Sequence, residues 1–291
     1  MRGPEGATVT LEIGRAGESQ PFDVIVTRGV IDVPSVRSRE LDDGYWLIRV
    51  SRFQRDSGRE VTRAIESALE KGDVKGVVLD VRNNPGGVMN ASVEMASNFL
   101  DGGLVVYTKG RHPDSMNTYY AEPGELLPGV PVVVLVNGGS ASASEIIAGA
   151  LQDRGRAVIM GTQSFGKGSV QTVLPVSETK ALKLTTSLYY TPNGRSIQAE
   201  GIVPDVVVER AQLTSLERDN RLREADLNRS IENTGSNVET ETEAIATLRE
   251  DDNQIYEAFT LLKGINVYQS LGETPLSDID ADSEDSSSDE E

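Results

Sequence analysis

VVVLVNGGSASASEIIAGALQ, residues 132–152, places an apolar strand pattern, a loop of small residues and a helical pattern in immediate succession. Every residue of Val132–Val136 is apolar, which is typical of a strand buried on both faces of a parallel sheet. A helix rich in small residues is predicted at Ser142–Gln152. Loops that follow parallel strands gather at the carboxyl edge of the sheet, where sites form. The stretch therefore predicts one strand–loop–helix unit of an α/β fold.

Strands and helices alternate on both sides of this unit. Helices with one apolar face are predicted at Glu60–Lys71 and Asn90–Leu100. Further strands are predicted at Tyr45–Val50, Val74–Val81 and Ala157–Met160. This alternation predicts an α/β core with parallel strands. Beyond Lys167 the pattern changes to turns and strands, which are predicted at Val170–Val176, Leu182–Tyr189 and Val206–Val208.

The two ends of the chain differ from the core. Val9–Ile13 and Phe22–Thr27 predict a hairpin, which must pack on something else to be stable. Leu213–Ser236 has helical stretches with weak periodicity, and Thr242–Lys263 contains a predicted helix. Acids alternate with serine in Asp278–Glu291, a composition that cannot bury enough apolar surface to order itself. We expect a disordered tail there, and a binding tail for a basic partner is the alternative.

Composition excludes several kinds of site and partner. The 291 residues contain no cysteine, so neither a thiolate nucleophile nor a disulfide is available. Because His112 is the single histidine, a histidine-rich metal site is disfavoured. His112 is predicted to be exposed in a loop. A Ser-His-Asp triad that uses it stays open, because the order of the three residues along the chain varies among folds. The net charge of −18 disfavours a nucleic-acid partner. Neither a membrane span nor a signal region is predicted.

With cysteine absent, a serine activated by a lysine is the leading candidate for a nucleophile. Ser142 lies near a helix start, where unpaired N–H groups and a partial positive charge would stabilise an oxyanion. The N–H of Ala143 is the natural local donor, and the loop that contains Gly86 and Gly87 offers a second one, because it also follows a buried strand. The three alternating serines of residues 140–144 also fit a helix cap with small packing residues, which is the plainer interpretation, and the residues alone leave the choice of nucleophile among them open.

Lys167 lies between two glycines in a turn that follows a strand. An amine acts as a base only when it has lost its proton, a state that burial favours. A solvated loop lysine is the plainer interpretation of this position. Gly161–Lys167 also nearly matches the phosphate-binding loop GxxxxGK, but Gly168 replaces the Ser or Thr that binds magnesium, and a β-rich segment follows where a helix should begin. Nucleotide binding is therefore not predicted.

Four blocks of the sequence, in order, resemble the C-terminal processing peptidases, also called tail-specific proteases. They are GVVLDVRNNPGG at residues 76–87, VNGGSASASE at 136–145, FGKGSVQ at 165–171, and TPNGRSIQ at 191–198 leading into GIVPD at 201–205. The resemblance covers roughly residues 1–210. Because four specific blocks occur in the order of that family, they outweigh the plainer interpretations of the serines and of Lys167.

The resemblance implies a role for each residue of the site. Ser142, the middle serine, would be the nucleophile, and Lys167 would be the general base and later the proton donor to the leaving amine. Gln171 matches the position that hydrogen-bonds and orients the lysine. The oxyanion donors would be the backbone of Ala143 and of either Gly86 or Gly87. No metal and no organic cofactor is implied.

The resemblance also implies a fold and a division into domains. The fold expected is an α/β core of the kind shared by Clp-type peptidases and crotonases. We expect the C-terminal part of a PDZ domain at residues 1–34, the peptidase core at 35–210, a helical segment at 211–270 and a disordered acidic tail at 271–291. The carboxylate-binding loop of a complete PDZ domain would lie upstream, so the chain is expected to be a fragment or a late-start product.

The expected function is that of a serine endopeptidase. Its partners would be proteins or peptides with an exposed, mostly apolar C-terminus, bound as an added strand and cut near that end. The family places such enzymes in the periplasm or cell envelope, and the sequence does not determine an oligomeric state. A non-catalytic scaffold that binds peptide tails is the alternative. A crotonase-like acyl-CoA enzyme would use the same oxyanion geometry, but it leaves the spacing of Lys167 and Gln171 unexplained.

Overall fold

A computed structural model of the chain describes residues 1–30, 33–112, 115–213 and 243–273. The chain divides into two compact units, Met1–Pro34 and Ser35–Glu291. The helical stretches predicted for residues 214–236 and the acidic tail predicted after residue 273 lie outside the described residues. None of the helices in the described ranges combines the length and apolarity that a membrane crossing requires.

The first unit is the predicted hairpin. Strands β1 (Thr8–Ile13) and β2 (Phe22–Thr27) pair antiparallel over their whole length. Partly buried and exposed residues alternate along β1, as expected for a strand with one covered face. The guanidinium of Arg15 lies over the ring of Phe22, 5.1 Å from its centroid.

A six-stranded sheet forms the centre of the second unit. Its strands, in spatial order, are β12 (Val206–Val207), β9 (Val158–Gly161), β8 (Val132–Val136), β5 (Gly76–Asp80), β4 (Tyr45–Val50) and β3 (Val36–Asp42). Neighbouring strands are parallel except for the antiparallel pair at the β3 edge. This arrangement confirms the predicted α/β core with parallel strands.

Helices cover both faces of this sheet. Helices α1 (Ser57–Leu69), α2 (Met89–Ser97) and α3 (Ala143–Asp153) pack on one face, and α4 (Glu243–Asp251) and α5 (Asn253–Glu273) pack on the other. Along β8, alternate residues contact opposite helix layers, because successive side chains of a strand point to opposite faces. All five residues of β5 and of β8 are buried, which is why β8 appears in the sequence as a continuous apolar run and β5 as the apolar run at residues 77–79 that ends in Asp80.

A second, antiparallel sheet follows the order β10 (Ser169–Pro175), β11 (Ala181–Tyr190), β6 (Leu104–Gly110) and β7 (Asn117–Tyr120). A strand, β10, therefore follows Lys167, and the helix that a phosphate-binding loop requires is absent at that position. Gln171 lies on β10 opposite Thr185 of β11, directly after a bulge.

The structure differs from the predicted elements in two respects. Strands β3, β6 and β7 were not predicted. Most side chains of β3 and β7 are exposed, so these strands lack an apolar period. The apolar run at the start of β6 is a strand signal that the prediction missed. The helix predicted within Thr242–Lys263 is two helices that break at Asp252, and the second one continues to Glu273.

Candidate active site

Ser142 occupies the turn between the buried strand β8 and helix α3. It caps the N-terminus of α3 with a backbone φ of 56° and ψ of −111°. A positive φ outside glycine costs about 1–3 kcal/mol and persists only where the surroundings hold it, which occurs most often at functional sites. One contact that holds this turn is the hydrogen bond from the N–H of Ser142 to the Glu145 carboxylate, at 2.7 Å.

The hydroxyls of the neighbouring serines are already used. Ser140 Oγ donates to the carbonyl of Val81 at 2.8 Å, and Ser144 Oγ donates to the carbonyl of Asn84 at 2.9 Å. Both serines are fully buried, whereas Ser142 is partly exposed. The two outer serines therefore fasten this turn to the end of β5 and to the loop after it, and Ser142 is the serine of the three that solvent reaches.

The loop at residues 83–87 packs against the Ser142 turn. The buried amide of Asn84 organises it, because Nδ2 donates to the carbonyl of Val50 at 2.9 Å and Oδ1 accepts the N–H of Gly86 at 2.9 Å. Gly86 has a φ of 92°, and a Cβ added there would lie 2.6 Å from the carbonyl oxygen of Ala141 and 2.9 Å from Cβ of Ser142. Only glycine fits at this approach of the two loops.

Two backbone N–H groups beside Ser142 make no hydrogen bond with the residues that the structure describes. One belongs to Ala143, the first residue of α3, whose N–H has no acceptor within the helix. The other belongs to Gly87, whose neighbours Gly86 and Val88 are the ones that exchange hydrogen bonds with the backbone of Phe53. The turn and the loop thus bring unpaired donors to the neighbourhood of a partly exposed serine, which is the arrangement that an oxyanion requires.

The carboxylate of Glu145 joins the Ser142 turn to the Lys167 loop. Oε1 accepts the hydroxyl of Ser164 and the N–H of Gly166, both at 2.6 Å. Oε2 accepts the N–H of Lys167 at 2.8 Å as well as the N–H of Ser142. Two N–H groups that share one acceptor oxygen lie within about 6 Å of each other. The backbones of Ser142 and Lys167 are therefore neighbours, although 25 residues separate them in sequence.

The side chains of Lys167 and Gln171 are not engaged. Both residues are exposed. Within the described part of the chain, the amine of Lys167 makes no hydrogen bond or ion pair, and the amide of Gln171 makes no hydrogen bond. The structure thus does not show the hydrogen bond between the two side chains that the resemblance implies, and their roles stay predictions.

Glu145 is the residue of this site that sequence reasoning missed. The signal was available, because Ser142 and Glu145 have the Ser-x-x-Glu spacing of a capping box, in which the glutamate bonds back to the N-cap N–H. Spacing alone reveals one of its four hydrogen bonds. The other three come from residues 164–167 and exist only in the folded chain.

Glu145→Gln is expected to lower the free energy of unfolding by about 2–6 kcal/mol, because the amide leaves two buried donors facing an NH₂ group and each unpaired donor costs about 1–3 kcal/mol. Denaturant unfolding measures this loss. Glu122→Gln, which changes an exposed carboxylate that makes no side-chain hydrogen bond with the described residues, is the matched control and should be neutral. Equal stability of the two variants would contradict the bridging role of Glu145.

A buried charge network lies under the same edge of the sheet. Asp80, at the end of β5, is fully buried and contacts the guanidinium groups of both Arg49 and Arg82. Arg82 also pairs with Asp252 at 2.8 Å. Burial disfavours both charges of that pair. The hydrogen bonds of Arg82 to Asp80 and to Asp252 outweigh burial and raise the pKa of Arg82, and the hydrogen bonds from Arg82 outweigh it at Asp252, so that the pKa of Asp252 is lowered.

His112 has no part in this arrangement. It is exposed, on the loop that follows β6 of the antiparallel sheet. Its carbonyl accepts hydrogen bonds from Ser115, and its imidazole makes no hydrogen bond or ion pair with the described residues.

Comparison with known proteins places the site in a family context. The sequence profile of Peptidase family S41 matches residues 44–208. A carboxy-terminal-processing protease of Bartonella bacilliformis is 44% identical over 271 residues, which are 91% of this chain and 62% of that protein. A carboxyl-terminal-processing protease of Synechocystis sp. is 39% identical over 224 residues, which are 75% of this chain and 51% of that protein. Among solved structures, the photosystem II D1 C-terminal processing protease matches with a TM-score of 0.56 and 31% identity, over 71% of this chain and 56% of that one.

The chain spans between 51% and 62% of the length of these two curated relatives. The matched range 44–208 contains the loop at residues 83–87, Ser142, Glu145 and Lys167. Helices α4 and α5, and Asp252 between them, lie outside it.

Proposed function

The chain belongs to Peptidase family S41, and from that premise we propose that it is a serine endopeptidase that cleaves proteins near an apolar C-terminus through Ser142 and Lys167. The observation that carries the proposal is the shared carboxylate of Glu145, which holds the backbones of both residues at one point. The exposure of Ser142, beside two serines whose hydroxyls are already bonded, supports its choice as nucleophile.

In the proposed reaction, the neutral amine of Lys167 takes the proton of Ser142 as Oγ attacks the scissile carbonyl carbon. The C–N bond then breaks, Lys167 returns the proton to the leaving amine, and the acyl group stays on Ser142 as an ester. A water molecule next gives a proton to Lys167 and attacks the ester carbon; the ester C–O bond breaks, and Lys167 returns the proton to Ser142 Oγ, which releases a carboxylic acid and restores the serine and the neutral amine. The scheme uses no metal and no organic cofactor.

The N–H groups of Ala143 and Gly87 are the proposed oxyanion donors. Each donor of this kind is worth about 3–4 kcal/mol of transition-state stabilisation. Gly86 is the weaker choice of the two glycines, because its N–H is already donated to Asn84 Oδ1. Its role in this proposal is the close approach that brings the two loops together.

Substrate binding completes the site in this proposal. Strand β10 begins two residues after Lys167 and is an edge strand among the described strands, so one of its sides is free to pair with an extended substrate. A substrate chain in that position covers the amine of Lys167, excludes water and favours its neutral form. Gln171, on the same strand, then orients the amine.

The proposed domains are the C-terminal part of a PDZ domain at residues 1–34, a peptidase core at 35–210, a helical segment at 211–270 and an acidic tail at 271–291. The division of the chain between Pro34 and Ser35 and the family match at residues 44–208 support the first two. We place the protein in the periplasm or cell envelope on the family resemblance, and fractionation of cells that express it tests this location.

Two versions of one unfolded substrate protein, which end in either three apolar or three acidic residues, test the proposed function. We expect intact-mass spectrometry to show C-terminal shortening of the apolar version only. Burying an apolar tail is favourable, whereas an acidic tail must lose its hydration on binding and is repelled by a protein of net charge −18. Binding of the apolar version without any product would favour the non-catalytic scaffold. Equal cleavage of both versions would contradict the proposed selectivity.

A further inference from the structure

The junction between α4 and α5 is a short polar segment inside the fold. Asn253 and Gln254 are almost fully buried, at 4% and 3% exposure. The amide of Asn253 accepts the N–H of Ala211 at 2.9 Å and donates to the carbonyl of Glu209 at 2.8 Å. Gln254 Nε2 donates to the carbonyl of Val208 at 2.6 Å. The junction is thereby fixed to the chain that leaves β12.

The same junction, near the C-terminal end of the chain, also binds the guanidinium of Arg82. Arg82 Nη1 donates to Asp252 Oδ1 at 2.9 Å and to Gln254 Oε1 at 2.7 Å, and Nη2 donates to Asp252 Oδ2 at 2.8 Å. Asp80 holds the opposite edge of the guanidinium through Nε and Nη2. Arg82 is 6% exposed, so it lies in a low-dielectric setting where hydrogen bonds between charged groups are strong.

Arg82 directly precedes the loop at residues 83–87. Asn83 has a φ of 55°, and its N–H donates to Oδ1 of Asn137 at 2.9 Å, while Asn137 Nδ2 donates to Oδ1 of Asn83 at 3.0 Å. Asn137 is also the residue at which the turn to Ser142 begins. A displacement of the Arg82 backbone therefore acts on both the Gly87 donor and the turn that carries the nucleophile.

We propose that Asp252 and Gln254 are positioning residues for peptide cleavage, which act through Arg82 to hold the loop at residues 83–87 against the Ser142 turn. The inference rests on the proposed function. It assigns to the C-terminal helices, which lie outside the family match, a part in forming the oxyanion site. A misplacement of about 1 Å in a catalytic group reduces turnover by as much as about 100-fold, so a small shift of this loop has a measurable effect.

Asp252→Asn tests the proposal, since it keeps the side-chain shape but removes the charge and one of the two oxygens that bind Arg82. We expect kcat to fall about tenfold while KM changes less than about twofold, because the donor serves the transition state rather than the substrate. Hydrogen exchange of the amides in residues 83–88 should accelerate at the same time. Gln254→Met removes one acceptor from Arg82 and also the hydrogen bond from Nε2 to the carbonyl of Val208, and it should change kcat in the same direction.

Lys263→Met is the matched control. It breaks the 2.7 Å ion pair between α5 and Asp42 of β3, on the same C-terminal helices but without a contact to Arg82. We expect normal kcat and normal exchange at residues 83–88 in this variant. An equal loss of kcat in the control, or unchanged kcat in both Asp252→Asn and Gln254→Met, overturns the positioning role.

Hydrogen exchange separates this proposal from the proposed function. If the wild-type chain cleaves no peptide, the proposed function fails, and exchange at residues 83–88 still decides whether the junction holds the loop. Faster exchange in Asp252→Asn but not in Lys263→Met supports the structural link, and unchanged exchange in both overturns it.

Discussion

Ser142→Ala is expected to abolish peptide cleavage, with a loss of kcat of more than about 10⁴-fold, and to leave the fold intact. Alanine keeps the Cβ, so the positive φ at this position and the hydrogen bond from its N–H to Glu145 are unaffected. The variant loses only the hydroxyl that would form the acyl-enzyme. Substrate cleavage followed by mass spectrometry, together with thermal unfolding, measures both parts of this prediction.

Ser144→Ala is the control that separates the nucleophile from its buried neighbour. Its hydroxyl donates to the carbonyl of Asn84, so its removal leaves a buried acceptor unpaired and costs about 1–3 kcal/mol of stability. We expect a less stable protein that still forms an acyl-enzyme. A Ser142→Ala variant with wild-type activity, or a Ser144→Ala variant that is stable but inactive, would show that the nucleophile is misassigned.

Lys167→Met is expected to reduce kcat by about 10²- to 10⁴-fold, the usual contribution of a general base. Methionine has a similar length, and the backbone N–H that bonds to Glu145 is kept, so the loop should not move. The amine makes no hydrogen bond or ion pair with the described residues, and its loss should therefore leave thermal stability unchanged. Lys180→Met, at another exposed lysine, is the control and should retain full activity.

The pH profile of the wild type gives a second test of the lysine. An amine that serves as the base must lose its proton, so kcat/KM should rise with pH through one ionisation, and this rise should be missing from the residual activity of Lys167→Met. A wild-type rate that is flat between about pH 5 and pH 9 would speak against a lysine base.

The fold could be predicted well where the burial of an element produces a recognisable pattern of apolar residues in the sequence. Strands β5 and β8 are buried on both faces; β8 is apolar throughout and β5 has an apolar centre, which made them and the parallel core predictable. Strands β3 and β7 have mostly exposed, polar side chains. They are strands because they hydrogen-bond to a neighbouring strand, and their sequences carry no apolar pattern that would predict them. The break between α4 and α5 falls at Asp252, whose partner Arg82 lies 170 residues away.

Of the candidate site, the sequence could predict the candidate residues, because their types and the family blocks around them are visible in the chain. The sequence by itself determined the α/β core and the family, and it singled out Ser142 and Lys167 as the candidate nucleophile and base, because apolar periods and ordered motifs are local properties of a chain. Only the tertiary structure decided that the hydroxyls of the two neighbouring serines donate hydrogen bonds to the carbonyls of Val81 and Asn84. It also decided that Glu145 joins the Ser142 turn to the Lys167 loop. These contacts depend on how distant segments pack, since a buried polar group must find its hydrogen-bond partner wherever the fold provides one.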